Sequence, residues 1–263
     1  MWTSIDRLAT AAGLLLALLA SDRSLPAAAA DAARQPVIVE LFTSEGCSSC
    51  PPADAFLETL DQSQPVPNAL VIALSEHVDY WDNLGWKDPF SSPLFSRRQE
   101  EYARRLHLDS VYTPQMVIDG GSEAVGVASG KIMEAIRKSA AAPKLRVRIS
   151  PVQNNPKGIP TVHIDVDPSG KSASSDHLML ALAEDTAATQ VLRGENSGRK
   201  LKHVAVVRHL ADFGGLAPAG SRGIDIPLTG ELQDWRGKRL VVFIQDRQHG
   251  RIGGAAYLLL PTR

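Results

Sequence analysis

The sequence predicts an α/β domain followed by an all-β, sandwich-like domain. Between residues 36 and 142, apolar runs typical of buried strands alternate with segments of helical periodicity. From residue 143 onward, period-two alternation and short apolar runs between Gly, Pro, Asn and Asp turns predict strands alone. We therefore expect a first domain over residues 36–142 and a second over residues 143–263, with the boundary near Ala142 and Pro143.

The first domain is predicted to have a strand–helix–strand–helix–strand–helix order. Its strands are the segments PVIVELF, ALVIALSEHV and PQMVIDG, and its helices are PPADAFLETLDQ, SPLFSRRQEEYARRL and SGKIMEAIRKSA. The first helix carries apolar residues at i, i+3, i+4 and i+7, which gives it one buried face. Short strands that alternate with helices indicate a sheet covered by helices.

The second domain offers seven strand candidates, and their turn-like spacing favours a sandwich. They are KLRVRIS, PTVHIDVD, HLMLALAED, HVAVVRHL, GIDIPL, LVVFIQD and AAYLLLP. The most polar stretch is RGENSGRKLKHVAVVRHL. Five of its side chains could border a ligand site: Glu195, Asn196, His203, Arg208 and His209. We favour the alternative, a hairpin turn over residues 196–198 followed by a solvated strand.

The N-terminal residues 1–30 have the features of a signal peptide. An apolar run from Ala9 to Ala20 is shorter than the roughly 20 residues that span a bilayer. Ala28 and Ala30 offer an A-x-A cleavage site. We therefore expect a periplasmic or secreted protein with no stable membrane span after signal removal. Its compartment would be oxidising, so disulfides would persist there.

Composition excludes some classes of partner. The chain is 44% hydrophobic, which suffices for a packed core, and its formal net charge is -1. This charge predicts no electrostatic attraction to nucleic acid or to anionic lipid. No motif for a serine hydrolase, a zinc protease or a phosphate-binding glycine loop occurs in the sequence. We expect no cofactor and no resident metal ion.

Cys47 and Cys50 are the only two cysteines, and they lie where the first strand gives way to the first helix. The thiolate is the nucleophile in disulfide exchange, and unpaired N–H groups at a helix N-terminus lower a thiol pKa. Pro51 and Pro52 suit the first helical turn because they lack N–H groups. We expect Cys47 to attack from just before the helix and Cys50, in its first turn, to resolve the mixed disulfide.

A structural bridge and a metal clip are alternative interpretations of this pair. A disulfide that closes a four-residue loop contributes only about 2 kcal/mol in the chain-entropy model. A bridge that served stability would gain more by joining distant segments. This argument favours redox activity. A second feature is the Thr113–Pro114 bond directly before the third strand, which could be cis.

The sequence resembles the thioredoxin superfamily and, more closely, secreted bacterial thioredoxin-like proteins of unknown function. The segments VELFTSEGCSSCPPAD, HVDYWDNLGWKDPFSSPLFSRRQ and YTPQMVIDG carry this resemblance, which covers nearly all of the mature chain. It implies a thioredoxin-like fold for the first domain, with Pro114 facing the Cys pair. Thr113 would then offer backbone hydrogen bonds to an incoming extended chain. The resemblance implies no particular substrate.

Two departures from ordinary thioredoxins concern the surroundings of the Cys pair. Gly46, rather than Trp, directly precedes Cys47. The buried acidic residue beneath the pair corresponds most nearly to Glu40, one position further upstream. We expect Glu40 to accept a proton from Cys50, with its pKa set by burial. The alternative is a carboxylate at the strand end that reaches solvent.

The connection SEHVDYWDNLGWKDPFSSP is long and rich in aromatic residues, which is typical of a functional loop. It follows a strand, and open α/β sheets place their sites at the carboxyl ends of strands. We expect Trp81, Trp86 and Tyr80 to form a substrate groove beside the Cys pair. His77 could move protons or bind a metal ion. The alternative is a small aromatic cluster that only fixes the loop.

These observations predict an exported thiol–disulfide oxidoreductase that acts on exported protein thiols or with a redox partner protein. Two alternatives stay open. The first is a periplasmic copper-binding protein that uses Cys47, Cys50 and His77, since thiolates suit Cu(I). The second is a non-catalytic interaction module whose disulfide is structural.

Overall fold

The computed structural model describes residues 34–167, 174–216 and 222–262. The predicted signal peptide, residues 1–30, lies outside these residues. In the described part of the chain, no helix is long and apolar enough to cross a membrane.

Three α-helices and twelve strands make up the described structure. The helices are α1 (Pro51–Ser63), α2 (Pro93–Leu106) and α3 (Ser129–Ala140), and a short 3-10 helix spans Gly230–Leu232. The strands are β1 (Gln35–Thr43), β2 (Ala69–His77), β3 (Gln115–Ile118), β4 (Ser122–Val125), β5 (Val147–Ile149), β6 (Gln153–Asn154), β7 (Pro160–Val166), β8 (Asp176–Gln190), β9 (Lys200–Gly215), β10 (Arg222–Pro227), β11 (Lys238–Asp246) and β12 (Ile252–Leu259).

Eight of these strands form one mixed sheet in the order β12-β11-β8-β9-β2-β1-β3-β4. β1 runs parallel to β2 and antiparallel to β3, whereas β8, β9, β11 and β12 are joined by antiparallel pairs. A smaller sheet has the order β10-β7-β5, with β6 also paired to β7. One apolar cluster lies between the two sheets.

The predicted fold class is wrong. The protein is mostly β, with a single large sheet that takes strands from both halves of the chain, rather than an α/β thioredoxin-like domain followed by a separate sandwich. The join is the parallel pairing of β2 with β9 at Ser75 and Val206. β2 and residues 203–207 of β9 are buried, and such patterns identify a strand without indicating which strand it will pair with. The division at Ala142 and Pro143, just after the end of α3, stays a prediction.

Side-chain alternation along β1 assigns its residues to two different cores. Val37, Val39 and Leu41 pack against α1 and α3, whereas Ile38 and Phe42 join the cluster that includes residues of α2. Successive side chains of a strand point to opposite faces, so Glu40 lies on the α2 face. That face is opposite to the one that α1 covers.

Glu40 is the centre of a buried ionic cluster on the α2 face. Its carboxylate accepts hydrogen bonds from Arg98 Nε at 2.5 Å and from the Tyr102 hydroxyl at 2.6 Å. Glu76 Oε1 lies 3.4 Å from Arg98 Nε, and burial together with the nearby Glu40 raises the pKa of Glu76 well above its usual value. Arg98 also donates to Gln245 Oε1 at 3.1 Å, which links α2 to β11. Arg98 thus compensates the charge of one carboxylate and lies beside a second.

Replacing Arg98 by Met is expected to lower the free energy of unfolding by about 3–5 kcal/mol, because it leaves buried carboxylates without a cation. Urea unfolding at neutral pH measures this loss. The matched control is Arg97→Met on the exposed neighbouring position of α2, which should stay within about 0.5 kcal/mol of wild type. An equal effect of the two substitutions would contradict this role for Arg98.

Candidate functional site

Cys47 and Cys50 form a disulfide at the N-terminus of α1, with their Cα atoms 5.4 Å apart. Cys50 is the N-cap residue rather than a member of the first turn, because the helix begins at Pro51. Its carbonyl accepts hydrogen bonds from the N–H groups of Ala53 and Asp54 at 2.8 and 3.1 Å. Both cysteines are 0% exposed, although the two serines between them are exposed. The positive end of the helix therefore lies at a fully buried disulfide.

The peptide bond between Thr113 and Pro114 is cis, as the sequence allowed. Gly126 donates its N–H to the Pro114 carbonyl at 2.9 Å. A Cβ atom on Gly126 would lie 2.7 Å from Ala53 Cβ and 3.0 Å from Pro114 Cβ, so no side chain fits between them. Pro114 therefore lies beside the first turn of α1, immediately after Cys50.

Trp81 contacts both the Cys loop, which we define as residues 44–50 between β1 and α1, and the residue that precedes the cis-proline. Its indole Nε1 donates to Thr113 Oγ1 at 2.9 Å. A Cβ atom on Gly46 would lie only 3.1 Å from Trp81 Cβ, so the small residue before Cys47 makes room for the indole-bearing segment. Tyr80, which precedes Trp81 in the sequence, is 39% exposed. Burial of its ring raises the pKa of Tyr80 to about 12, although its hydrogen bonds with Thr113 and Gln99 lower it in part.

The backbone of Thr113 is available for pairing. Within the described residues, no hydrogen bond uses its N–H or its C=O group. Thr113 as a whole is half-buried.

Trp86 and His77 contact the Cys loop through Glu45 and Asp88. Trp86 Nε1 donates to Glu45 Oε2 at 2.8 Å, and the Glu45 N–H donates to Asp88 Oδ2 at the same distance. Asp88 Oδ2 is also 2.7 Å from His77 Nδ1. Burial alone would raise the pKa of Asp88, but His77 and these hydrogen bonds lower it overall. His77 is fully buried, so it can contact the Cys loop's polar network but not a substrate.

His203, from β9, lies in the same buried network. Its Nε2 is 3.3 Å from Glu45 Oε1, its Nδ1 is 3.5 Å from Asp54 Oδ1, and its ring centroid is 4.7 Å from that of His77. Burial alone lowers the pKa of His203, but the two carboxylates raise it to about 10. His203 is therefore a buried cation at neutral pH.

Asp54 occupies the position that we expected for Glu40. It follows Cys50 by four residues, so the two side chains lie on the same face of α1. Its Oδ2 accepts a hydrogen bond from Thr43 Oγ1 at 3.3 Å, and its side chain is 5% exposed. Glu40 lies on the opposite face of the sheet, where Arg98 and Tyr102 occupy it. An acidic residue one turn after Cys50 is the signal in the sequence that would have identified Asp54.

The polar stretch of the second half is divided between the Cys loop and other surroundings. The Asn196 side chain donates to the carbonyls of Glu45 and Cys47, and Glu195 accepts from the Ser48 N–H. Arg208 instead lies 5.4 Å from the Phe90 ring centroid and 3.5 Å from Glu184, and His209 pairs in register with Leu182. The turn over residues 196–198 therefore touches the disulfide loop. The strand that follows it is not solvated throughout, because residues 203–207 of β9 are buried.

Among the described residues, no group of three or more His, Cys, Asp or Glu side chains is arranged to hold a metal ion. The predicted use of Cys47, Cys50 and His77 for copper stays a prediction.

Replacing His203 by Asn is expected to flatten the decline of stability above neutral pH. An unfolded His titrates near pH 6.5, whereas folded His203 titrates near pH 10. Its stabilising contribution is therefore complete below about pH 6.5 and is lost as the pH rises to about 10, a loss on the order of a few kcal/mol. The ionisable groups that face His203 are Asp54, Glu45 and His77, and all three remain in the variant.

Urea unfolding at several pH values between 6.5 and 10 measures the effect. The control is His163→Asn, because His163 is 51% exposed and pairs with Asp225 at the surface. Parallel pH curves for wild type and the His203 variant would show that His203 is not a buried cation.

Comparison with known proteins gives a family and solved structures of similar fold. A structural-genomics crystal structure of a protein from Agrobacterium tumefaciens shares the fold, with a TM-score of 0.66 and 24% identity over 86% of this chain and 95% of the other. No curated protein matches the chain. The model of the family described as "Protein of unknown function (DUF1223)" matches residues 38–245. This match covers most of the sequence, and the chain therefore belongs to that family.

Proposed function

We propose that this protein is a thiol–disulfide oxidoreductase that exchanges electrons with protein thiols through Cys47 and Cys50. The observation that carries the proposal is the disulfide at the N-terminus of α1, beside the cis-Pro114 bond and the unpaired backbone of Thr113. The export that the sequence predicts belongs to the same proposal, because such a pair needs partners that carry thiols or disulfides.

The exchange proceeds in two balanced steps. A substrate thiolate attacks Cys47 Sγ, a substrate–Cys47 disulfide forms, and Cys50 leaves as a thiolate. A second substrate thiol, as thiolate, then attacks the substrate sulfur, which releases an oxidised substrate and the Cys47 thiolate. The reverse sequence reduces a substrate disulfide. The partial positive charge at the N-terminus of α1 stabilises the thiolates in both directions.

Asp54 and His203 support the proton balance of this reaction. When Cys50 leaves as a thiolate it needs a proton or a compensating charge, and in the reverse direction its thiol must lose a proton. Asp54 lies one helical turn from Cys50 on the same face of α1. His203 neutralises Asp54 and Glu45 behind it. These residues act in the place where we expected Glu40.

The surroundings of Thr113 favour an extended polypeptide as the substrate. The free N–H and C=O groups of Thr113 can pair with one residue of such a chain, as at a sheet edge. Tyr80 and Leu84, in the connection between β2 and α2, are 39% and 61% exposed. They offer apolar surface for the side chains of the substrate that flank the paired residue. The hydrogen bond from Trp81 Nε1 to Thr113 Oγ1 holds Thr113 beside the Cys loop.

One observation favours the alternative of a structural disulfide. Neither Cys47 nor Cys50 has exposed surface, whereas an attacking thiol must reach a sulfur atom. The two functions predict different reduction potentials. Working redox pairs fall between about -120 and -270 mV, and structural bridges lie below about -300 mV. Titration of the protein against glutathione redox mixtures measures which range applies.

Replacing Cys50 by Ser is expected to trap disulfide-linked partners on Cys47, because the resolving thiol is lost. The assay incubates the variant, with Cys47 as a free thiol, with an unfolded protein that contains disulfide bonds, followed by non-reducing electrophoresis. The matched control is Cys47→Ser, which should trap at least about tenfold less because the remaining Cys50 is the resolving thiol. Failure of the Cys50 variant to trap, together with a potential below about -300 mV, would overturn the proposed function in favour of a structural bridge.

A further inference from the structure

We propose that the turn between β8 and β9, residues 191–199, is a latch that holds the Cys47–Cys50 loop closed and must release it before a thiol can reach the disulfide. This inference rests on the proposed function and concerns how access to the same site is regulated. It makes the second half of the chain a working part of the redox site.

Asn196 is the residue that fastens the latch. Its Nδ2 donates to the carbonyl oxygens of both Glu45 and Cys47 at 2.9 Å. Its Oδ1 accepts from Arg199 Nη1 at 2.9 Å, which fixes the orientation of the amide. Asn196 is 1% exposed, although the residues on either side of it in the turn are exposed. One inward-pointing side chain thus carries most of the attachment.

Glu195 provides the second attachment. Its Oε2 accepts the N–H of Ser48 at 3.0 Å, and this interaction lowers the pKa of the Glu195 carboxyl group. Asn196 and Glu195 therefore hold the C=O and the N–H of a single peptide group, the one that joins Cys47 to Ser48. Because this peptide group lies within the disulfide ring itself, fixing it fixes the conformation in which both sulfur atoms are buried.

The turn lies close to the aromatic connection between β2 and α2, residues 78–92, yet most of its residues remain exposed. Gly194 has a φ of +75°, and a Cβ atom there would lie 3.0 Å from Trp86 Cβ. A Cβ atom on Gly85, in the connection between β2 and α2, would lie 3.4 Å from Gly194 Cα. Beyond Val191, the turn is anchored chiefly by these contacts and by the hydrogen bonds of Asn196 and Glu195. Such a short exposed turn can detach without unfolding β8 and β9, which stay paired.

The closed latch explains why a disulfide at a helix N-terminus shows no exposed surface. Ser48 and Ser49 are exposed, so the loop itself faces solvent. Only a change in the backbone between Cys47 and Cys50 is needed to bring a sulfur atom to the surface. Release of Asn196 removes the two hydrogen bonds that oppose this change at Glu45 and Cys47.

The test measures how fast a small phosphine, TCEP, reduces the disulfide of the folded protein. Samples are quenched with N-ethylmaleimide and the added mass is counted. For wild type, the rate is expected to level off as the TCEP concentration rises, because opening of the latch becomes limiting. Asn196→Ala is expected to raise the limiting rate about tenfold or more, since two hydrogen bonds of typical strength are lost.

Asn155→Ala is the matched control. Asn155 also organises a turn, in which its Oδ1 accepts the N–H groups of Lys157 and Ile159 at 2.9 and 3.0 Å, but it does not touch the Cys loop. Its variant should reduce within about twofold of wild type even if its melting temperature falls. Equal acceleration by the two substitutions would show that general destabilisation, not the latch, controls access, and would overturn the proposal.

Glu195→Ala provides a second variant whose side chain is exposed and whose loss should leave the fold intact. Loss of the single bond to Ser48 is expected to accelerate reduction about threefold. Wild-type rates that rise linearly with TCEP, and that neither variant changes, would overturn the latch. The reduction potential tests the proposed function separately: a potential in the catalytic range with unchanged rates refutes the latch alone. A potential in the structural range refutes the redox function, whatever the rates.

Discussion

The parallel pairing of β2 with β9 determines what surrounds the Cys pair. This contact, at Ser75 and Val206, joins the two halves of the chain into one sheet. It also holds β9 and the preceding turn against α1, whose core includes Val204 and Ala205. Without it, neither His203 nor Asn196 would reach the segment that follows β1. The chemistry of the disulfide therefore depends on strands that begin about 150 residues later in the sequence.

Two buried ionic groups lie on opposite faces of the same strands. On the α2 face, Arg98 compensates Glu40 and lies beside Glu76. On the α1 face, His203 lies between Asp54 and Glu45. Taking charges out of water is costly unless they are paired, so a protein retains such groups only where they are compensated. The first group joins helix to sheet, whereas the second lies next to the only two cysteines in the chain.

Local chemistry was predictable from the sequence, and strand partners were not. The helix start at Pro51, the cis bond before Pro114 and the strand character of β1, β2, β8 and β9 follow from short patterns. Such patterns contain no information about which strands pair, and this is why the predicted fold class was wrong. The same limit affected Glu40. Its apolar neighbours in the sequence indicated that it is buried, but the face of the sheet on which it lies depends on how the side chains of β1 alternate relative to α1.

The two contributions of the second half to the disulfide differ in kind. Asn196 is neutral, so its amide can donate to two carbonyl oxygens without adding charge beside the helix N-terminus. It therefore affects the conformation of the Cys loop and the rate at which a sulfur becomes reachable. His203 is cationic and acts through Asp54 and Glu45, so it affects the free energy of a thiolate and hence the equilibrium. In the proposed redox reaction, access and potential are thus set by separate residues of one hairpin, and we expect a substitution to change either without the other.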